Sequence, residues 1–214
     1  MATLVLLVAP AVLIAALEWN HSLAGLGLGA KLHNAWFQSL TTRTAGFNSV
    51  DFAAMMPATQ TLVETLMFIG GSPGSTAGGV KTTTVFVLLV SVVTVAQGGG
   101  PVVWGGWSIS HATISRAAAV AVLGALSAAF GLFAIQLTQA MSTRTALFEV
   151  VSALGTVGLS IGGTAILDEV GKLIIITCMF LGRVAPLTVF LIFSGRGRGP
   201  RALWDYPEQD VSVG

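Results

Sequence analysis

Four long apolar runs alternate with polar, glycine-rich stretches along the chain. The runs are residues 3–17, 58–96, 117–139 and 173–193. They predict membrane-spanning helices, because a helix needs about 20 residues to cross about 30 Å of hydrocarbon. The first run is short, contains Pro10 and has no basic segment before it. We interpret it as a short or truncated span rather than a signal peptide.

The second run is too long for one span and is interrupted by the glycine- and serine-rich segment 70–81. A continuous helix over 58–96 would measure about 58 Å at about 1.5 Å per residue, which is roughly twice the hydrocarbon thickness. The pattern therefore predicts two half-helices joined by an irregular loop within the membrane.

Two short apolar segments, 32–40 and 146–154, each precede a Thr-x-Gly turn. The turns are Thr44-Ala45-Gly46 and Thr156-Val157-Gly158. Segments this short are typical of re-entrant helices rather than spans. A polar, glycine-containing backbone at membrane depth must line protein or a watery cavity. We therefore predict two re-entrant helices, each followed by an ordered turn inside the membrane.

The two halves of the chain repeat the same order of features at an offset of 112 residues, which aligns Gly46 with Gly158. The order is span, short helix, turn and span, which predicts tandem parallel units around an axis along the membrane normal. We predict membrane repeats at 1–98 and 99–195 and a tail at 196–214. The predicted fold class is an all-α membrane protein with tandem channel-like repeats of span, pore helix, filter loop and span.

Composition supports the membrane assignment and excludes several functions. Of 214 residues, 54% are hydrophobic and 9% charged, against about 25% charged in average soluble domains. The net charge of +1 and the lack of a basic cluster argue against nucleic-acid binding. The one cysteine, Cys178, excludes a disulfide within the chain, and the three histidines do not have metal-ligand spacing. No nucleophile–base pair indicates an enzyme.

Charged residues give the expected orientation. Basic and acidic residues fall on opposite sides of the predicted spans. The basic residues are Arg116, Arg196, Arg198 and Arg201, and the acidic residues are Glu18, Asp51, Asp168 and Glu169. The positive-inside rule makes the basic side cytoplasmic. The C-terminus is then cytoplasmic and the acidic residues lie on the outer side, with Glu18 at a membrane–water interface and Asp168 and Glu169 in an aqueous loop. The two turns enter from outside.

The turns have the chemistry of an ion-selectivity filter. A filter replaces the water around a cation with backbone carbonyl oxygens, and glycine allows the tight bends that expose successive carbonyls. The predicted filter residues are Arg43, Thr44, Ala45 and Gly46 in the first turn and Gly155, Thr156, Val157 and Gly158 in the second. The alternative is that these are ordinary glycine turns in a buried loop.

At these residues the chain resembles the Trk/Ktr/HKT superfamily of potassium transporters, most closely the KtrB-like membrane subunit of Ktr uptake systems. The resemblance covers nearly the whole chain. Its motifs are 41–48, 70–81, 148–160, 179–188 with Gly182, Arg183 and Pro186, and Tyr206-Pro207-Glu208. Members carry four potassium-channel-like units around one pore, so the two units of this chain are two of the four that a pore needs. The resemblance implies that this chain is a C-terminal half, the third and fourth units, and that two N-terminal units or a second copy complete the pore.

The resemblance also implies roles for particular residues. Carbonyls at Thr44, Gly46, Thr156 and Gly158 would bind K⁺. Gating would fall to an intramembrane loop with Gly70, Gly71, Ser72, Pro73, Gly74, Ser75, Thr76, Ala77, Gly78, Gly79 and Lys81, and to a pore arginine, Arg183. The alternative for Arg183 is a structural arginine bonded to a carbonyl or to Glu64. A phosphate-binding loop is disfavoured because Val80 separates Gly79 from Lys81-Thr82.

The predicted function is potassium uptake across the plasma membrane, with K⁺ as the transported ion, Na⁺ as a possible coupling or activating ion, and no organic cofactor. The resemblance implies a homodimer and a cytosolic nucleotide-binding RCK (KtrA-like) regulatory subunit. One alternative is a secondary transporter with broken helices for another small solute. A third alternative is a membrane scaffold or an intramembrane enzyme. Neither would need a pair of filter turns.

Overall fold

The structure, a computed structural model, describes residues 2–195, with side chains from 3 to 184. The predicted tail at 196–214, with its three arginines and Tyr206-Pro207-Glu208, lies outside the described residues. The orientation that depends on the tail therefore stays a prediction.

The described chain is mostly helical. The helices in chain order are α1 (Ala2–Glu18), α2 (Leu28–Thr41), α3 (Pro57–Phe68), α4 (Thr82–Ala96), α5 (His111–Thr138), α6 (Thr143–Leu154), α7 (Gly163–Ile166) and α8 (Glu169–Gly195). A hairpin of β1 (Val103–Trp104) and β2 (Trp107–Ser108) precedes α5. The halves thus run in parallel: α1, α2, a turn and the pair α3–α4, then α5, α6, a turn and α8.

The apolar run 58–96 is divided into α3 and α4, as predicted. The connecting loop is more regular than predicted, because backbone hydrogen bonds close its base. The amide of Gly70 donates to the Val80 carbonyl at 2.8 Å, and the amide of Val80 donates to the Phe68 carbonyl at 3.1 Å. Ile69 and Val80 form a parallel bridge. A broken helix in a low-dielectric setting needs such partners for its freed backbone groups.

Two boundaries differ from the sequence-based prediction. The third span was expected to begin at residue 117, but α5 begins at His111, because the Ser110 hydroxyl caps it by accepting from the Thr113 amide at 3.3 Å. An aqueous loop was expected at Asp168 and Glu169, but Glu169 is the first residue of α8. Asp168 is its cap, with Oδ1 accepting from the Gly171 amide at 2.8 Å.

The small hairpin is an exception to the predicted all-α fold. Gly105 and Gly106 have φ of +58° and +85°, the left-handed conformations that tight two-residue hairpin turns require. The ring of Trp104 packs edge-on against Phe86 of α4, with centroids 4.9 Å apart. The hairpin therefore connects α4 to α5 while it rests on α4.

Within the described residues, α5 is the one helix long and apolar enough to cross a membrane by length and composition, and α1 and α4 are shorter apolar helices. The outer faces of these helices are apolar and unpartnered. Phe130 of α5 is 71% exposed and Val95 of α4 is likewise 71% exposed. Water-exposed patches of this kind are rare in soluble proteins, so the faces fit contact with lipid.

Two hydrophobic clusters pack against α6 in the second half of the chain, and the first of them also joins the two halves. The first joins α3 to α6 and the second turn, with Met67, Phe148 and Val157 buried together. The second packs α5, α6 and α8 around Ile135, Val150 and Cys178, and Cys178 is buried as a free thiol. Both clusters lie against α6, so α6 is the central helix of this half.

Candidate functional site

The first turn begins where α2 ends. Thr44 has φ of +72° and Gly46 has φ of +78°. The buried Thr41 hydroxyl closes the turn, because it accepts from the Phe47 amide at 3.0 Å and donates to the Phe47 carbonyl at 2.5 Å. One side chain of the last helical turn thus fixes the backbone on the far side of the glycine.

The second turn has the same backbone pattern. It follows α6, with φ of +51° at Thr156 and +93° at Gly158. Thr44 and Thr156 are the two non-glycine residues of the described chain with positive φ. A left-handed conformation costs an L-residue about 1–2 kcal/mol, and such strain persists where the surrounding structure enforces it, often at functional sites.

The two turns touch backbone to backbone. A Cβ placed on Gly46 would lie 2.4 Å from the carbonyl oxygen of Val157, and one placed on Gly158 would lie 3.7 Å from the Gly46 Cα. A side chain at position 46 would therefore collide with the other turn. Glycine is needed there for its φ and for this approach.

Both turns lie at the C-terminal ends of short helices, α2 and α6. Unpaired carbonyls at such an end carry about half a negative charge. Residues 146 and 148–154 of α6 are all buried in the protein, so little water screens that end. The electrostatics at both turns favour a cation.

Each short helix also holds the segment beyond its own turn through one buried polar side chain. In α6, Glu149 accepts from the Ser160 hydroxyl at 2.6 Å and from the amides of Ile161 and Gly163 at 3.2 and 3.1 Å. The Thr164 hydroxyl is a further donor to its carboxylate. These four hydrogen bonds occupy the Glu149 carboxylate, so its role in the structure is to hold the segment after the second turn.

Gln38 of α2 has a similar role in the first half, one position away from the residue that the offset of 112 aligns with Glu149. In the amide orientation that satisfies both of its ends, its oxygen accepts from the Ser49 hydroxyl at 3.1 Å and from the amides of Val50 and Ser49 at 3.2 and 3.3 Å. The side chain is fully buried. An uncharged amide therefore does in the first half what a carboxylate does in the second.

The loop between α3 and α4 reaches both turns. Its Gly78 amide donates to the Thr156 hydroxyl at 3.1 Å, and the Arg43 guanidinium donates to the Gly70 carbonyl at 3.3 Å. A Cβ on Gly78 would be 2.5 Å from the Thr156 Oγ1. The loop therefore lies directly against the turns.

Two further cations bond to the loop. Arg183 of α8 donates to the Thr76 carbonyl, and Lys81 donates to the Ala77 carbonyl. The bond of Arg183 to a carbonyl is one of the alternatives that the sequence left open. Inside the loop, a Cβ on Gly71 would be 2.7 Å from the Ala77 Cβ and 2.8 Å from the Ser75 hydroxyl, so the loop is packed on itself.

The structure thus brings together most of the residues that the sequence singled out. The two predicted filter turns are in contact, the predicted gating loop adjoins them, and Arg183 bonds to that loop. The residues that sequence reasoning missed are buried polar anchors. They are Thr41, Gln38 and, in its role, Glu18. Glu18 was expected to meet water at the membrane interface, but it is fully buried, because its carboxylate accepts from the Met56 amide at 2.9 Å and the Thr59 hydroxyl at 2.5 Å. The available signal was a polar residue near the end of a predicted re-entrant helix, such as Gln38.

Asp168 lies outside the spans and joins α5 to α8. Its Oδ1 accepts from the Gly171 amide at 2.8 Å and from the Gln139 amide group at 2.6 Å. These donors, the Gly171 amide foremost, hold the pKa of the carboxyl below its ordinary value.

Comparison with known proteins gives the class. The family model of TrkH, described as cation transport protein, matches residues 1–197. The chain therefore belongs to the TrkH family, and the predicted membership of the Trk/Ktr superfamily is confirmed.

Individual relatives refine this result. The chain is 39% identical over 200 residues to the Ktr system potassium uptake protein B of Bacillus subtilis, covering 92% of this chain and 44% of the relative. It is 36% identical over 188 residues to the potassium/sodium uptake protein NtpJ of Enterococcus hirae, covering 86% and 42%. It is 34% identical over 215 residues to the Ktr system potassium uptake protein B of Vibrio alginolyticus, covering 100% and 47%.

The chain spans less than half the length of these curated relatives. Its fold is similar to the crystal structure of the potassium transporter TrkH from Vibrio parahaemolyticus, with a TM-score of 0.72 and 22% identity, covering 89% of this chain and 43% of that one. The helical membrane-protein fold is therefore shown by structural likeness as well as by sequence.

Proposed function

We propose that the chain forms half of the ion pathway of a potassium uptake protein, built from two units of span, pore helix, filter loop and span at 1–98 and 99–195. The observation that carries this proposal is the pair of Thr-x-Gly turns. They share positive φ at threonine and glycine and touch through Gly46 and the Val157 carbonyl. Ordinary turns in a buried loop would have no reason to repeat a strained conformation and meet backbone to backbone.

The proposed ion ligands are backbone carbonyls at Thr44, Gly46, Thr156 and Gly158. In each turn φ is positive at the threonine and glycine and not at the residue between them. Alternation of this kind turns successive carbonyls toward one side, whereas in a strand they point to opposite sides. Carbonyls presented in this way can replace the hydration shell of K⁺, and the two helix ends add negative potential.

The proposed ion is K⁺, in line with the potassium uptake named for the Bacillus and Vibrio relatives. The Enterococcus relative is named for potassium and sodium, so Na⁺ is proposed as a second transported, coupling or activating ion. No organic cofactor is required by this mechanism.

The proposed gate is the loop between α3 and α4 together with Arg183. The loop lies against the second turn through Gly78 and Thr156. A fixed positive charge near the ion path raises the barrier to K⁺, and Arg183 bonded to Thr76 holds such a charge at the loop. Movement of the loop would carry both obstructions away from the filter.

The proposed assembly contains more than this chain. Two turns make half of a ring, so two further units or a second copy would complete the pore. A homodimer of complete pores in the plasma membrane, with a cytoplasmic C-terminus and an RCK-type nucleotide-binding regulatory subunit, fits the Ktr system named for two of the relatives.

The test is complementation. The chain is joined to the part of the Bacillus subtilis relative that it does not match, and the chimera is expressed in a cell that lacks its own potassium uptake. We expect growth at low K⁺ and saturable uptake of Rb⁺ as a K⁺ tracer. A chimera that reaches the membrane and restores neither would overturn the proposal, and uptake of an organic solute instead would favour a broken-helix secondary transporter.

A further inference from the structure

The loop between α3 and α4 is bonded at both of its ends to the two turns. At the start of the loop, the Gly70 carbonyl accepts from Arg43 at 3.3 Å. Near its end, the Gly78 amide donates to the Thr156 hydroxyl at 3.1 Å. The side chains belong to the turns and the backbone groups to the loop. The bond at Gly70 lies at the closed base of the loop, whereas displacement of the loop at Gly78 must break the bond to Thr156.

The contact at Thr156 is close as well as bonded. A Cβ on Gly78 would lie 2.5 Å from the Thr156 Oγ1, 2.8 Å from its Cγ2 and 3.0 Å from the Gly155 carbonyl oxygen. Only a residue without a side chain fits at position 78. The loop backbone therefore packs directly on the turn whose carbonyls are the proposed ion ligands.

Thr156 is also the residue held in a strained conformation, with φ of +51°. A β-branched residue rarely stays in the left-handed region without external support. The hydrogen bond from Gly78 is one such support, because it fixes the hydroxyl and with it the side-chain rotamer. Without that bond, the residue loses a reason to keep its left-handed backbone.

We propose that Thr156, assisted by Arg43, is a positioning residue that couples the loop to the geometry of the filter. This inference rests on the proposed function. When the loop moves away, Thr156 is released and the carbonyls of the second turn lose their alignment. By linkage, an ion that orders the second turn also favours the closed loop. The gate and the filter then respond to one another rather than acting in series.

The turns make this contact through different residues. The offset of 112 aligns Thr44 with Thr156 and Arg43 with Gly155. The first turn bonds to the loop through the arginine and the second through the threonine. The coupling is therefore asymmetric, and substitution of Thr156 tests it without removing the bond that Arg43 of the first turn makes to the loop.

The first experiment measures loop opening directly, by hydrogen–deuterium exchange of the peptide covering 70–81 in the complete protein in detergent. Thr156→Val keeps the shape of the side chain and removes the hydroxyl. We expect exchange at Gly78 to rise about fivefold, the factor that corresponds to a typical hydrogen bond. Thr156→Ser should restore protection, and Thr138→Val, which removes a hydroxyl bonded within α5, should leave it unchanged. Unchanged exchange in Thr156→Val would overturn the proposal whether or not the protein transports K⁺.

The second experiment asks whether the effect on ions requires the loop. Thr156→Val is compared in the intact complete protein and in a variant that lacks residues 72–78, by the K⁺ concentration at half-maximal uptake and the K⁺/Na⁺ preference. We expect a shift of about fivefold or more with the loop and no further shift without it. Shifts of equal size in both backgrounds would show that Thr156 acts on ions independently of the loop. If neither intact protein takes up K⁺, the proposed function fails, and the exchange experiment still decides the coupling.

Discussion

The carbonyl oxygen of Val157 lies where the side chain of residue 46 would begin, 2.4 Å from the position of a Cβ on Gly46. This contact joins turns that are 112 residues apart in sequence. The position of each turn therefore depends on the other, and the small size of Gly46 is a condition for both.

The first prediction concerns this contact. We expect Gly46→Ala in the complete protein to abolish K⁺ uptake, because the methyl group must displace the Val157 carbonyl. The matched control is Gly98→Ala, which has φ of +103° and open space around its Cβ. Both variants carry backbone strain of about 1–2 kcal/mol, but only the first has a collision. Uptake should therefore be lost in one and kept in the other, and equal loss in both would contradict the prediction.

The second prediction concerns the crossing of α8 and α6. A Cβ on Gly182 would lie 1.9 Å from the Leu154 carbonyl oxygen. We expect Gly182→Ala to destabilise the protein by about 1–3 kcal/mol, the usual cost of overpacking, measured by thermal unfolding in detergent. Gly29→Ala, in α2 with nothing within 4 Å, is the control and should be neutral or stabilising. If Gly182→Ala leaves the stability unchanged, the prediction is wrong, because α8 can then move away from α6 at no cost in free energy.

The third prediction concerns Glu149. Glu149→Ala leaves the hydroxyl of Ser160 and the amides of Ile161 and Gly163 without their acceptor. We expect a loss of at least about 2 kcal/mol in the free energy of unfolding and a weaker preference for K⁺ over Na⁺. Glu149→Gln keeps one acceptor oxygen, so its stability and its preference for K⁺ should lie between those of the wild type and those of Glu149→Ala. If Glu149→Ala is destabilised but keeps the ion selectivity of the wild type, Glu149 contributes to stability alone.

The fourth prediction concerns the charge at the loop. Arg183→Ala removes the guanidinium bonded to the Thr76 carbonyl, so both a fixed positive charge and a tether are lost. We expect the initial rate of K⁺ uptake by the complete protein to rise. Arg116→Ala removes an exposed arginine of α5 and serves as the charge control. Unchanged or slower uptake in Arg183→Ala would rule out the barrier role.

The fifth prediction concerns pH. Asp168 has a folded-state pKa below its ordinary value of 3.8, because the carboxylate accepts from Gly171 and Gln139. Its contribution to stability is therefore full above pH of about 4 and is lost as the pH falls through the folded pKa. We expect Asp168→Ala to lower the melting temperature at pH 7 and to reduce the further loss on acidification. A mutant and wild type with parallel pH profiles would exclude this linkage.

Length and composition were enough to predict much of the fold. The run 58–96 was too long for one span, and its division into α3 and α4 followed from the thickness of a bilayer. The short helices before Gly46 and Gly158 followed in the same way, because a segment of their length cannot cross. Each inference used only the local sequence and the thickness of the bilayer.

The contacts between distant residues could not be predicted in this way. The bond from Gly78 to Thr156 and the approach of Gly182 to Leu154 depend on how helices cross, which no local pattern encodes. Thr41 and Gln38 have no equivalent at the offset of 112, where Ala153 and Val150 stand, so the repeat did not reveal them. The hairpin at 103–108 was missed because its two-residue strands are too short to show an alternating pattern.

The closed base of the loop has a consequence for how this region can change. Since Gly70 and Val80 are already bonded to each other, the ends of α3 and α4 keep their positions whatever the chain does between them. Residues 71–79 then form a segment between two ends whose positions are fixed. Their length and composition can vary without moving the helices, so regulation can diverge among homologous transporters while α3 and α4 keep their places.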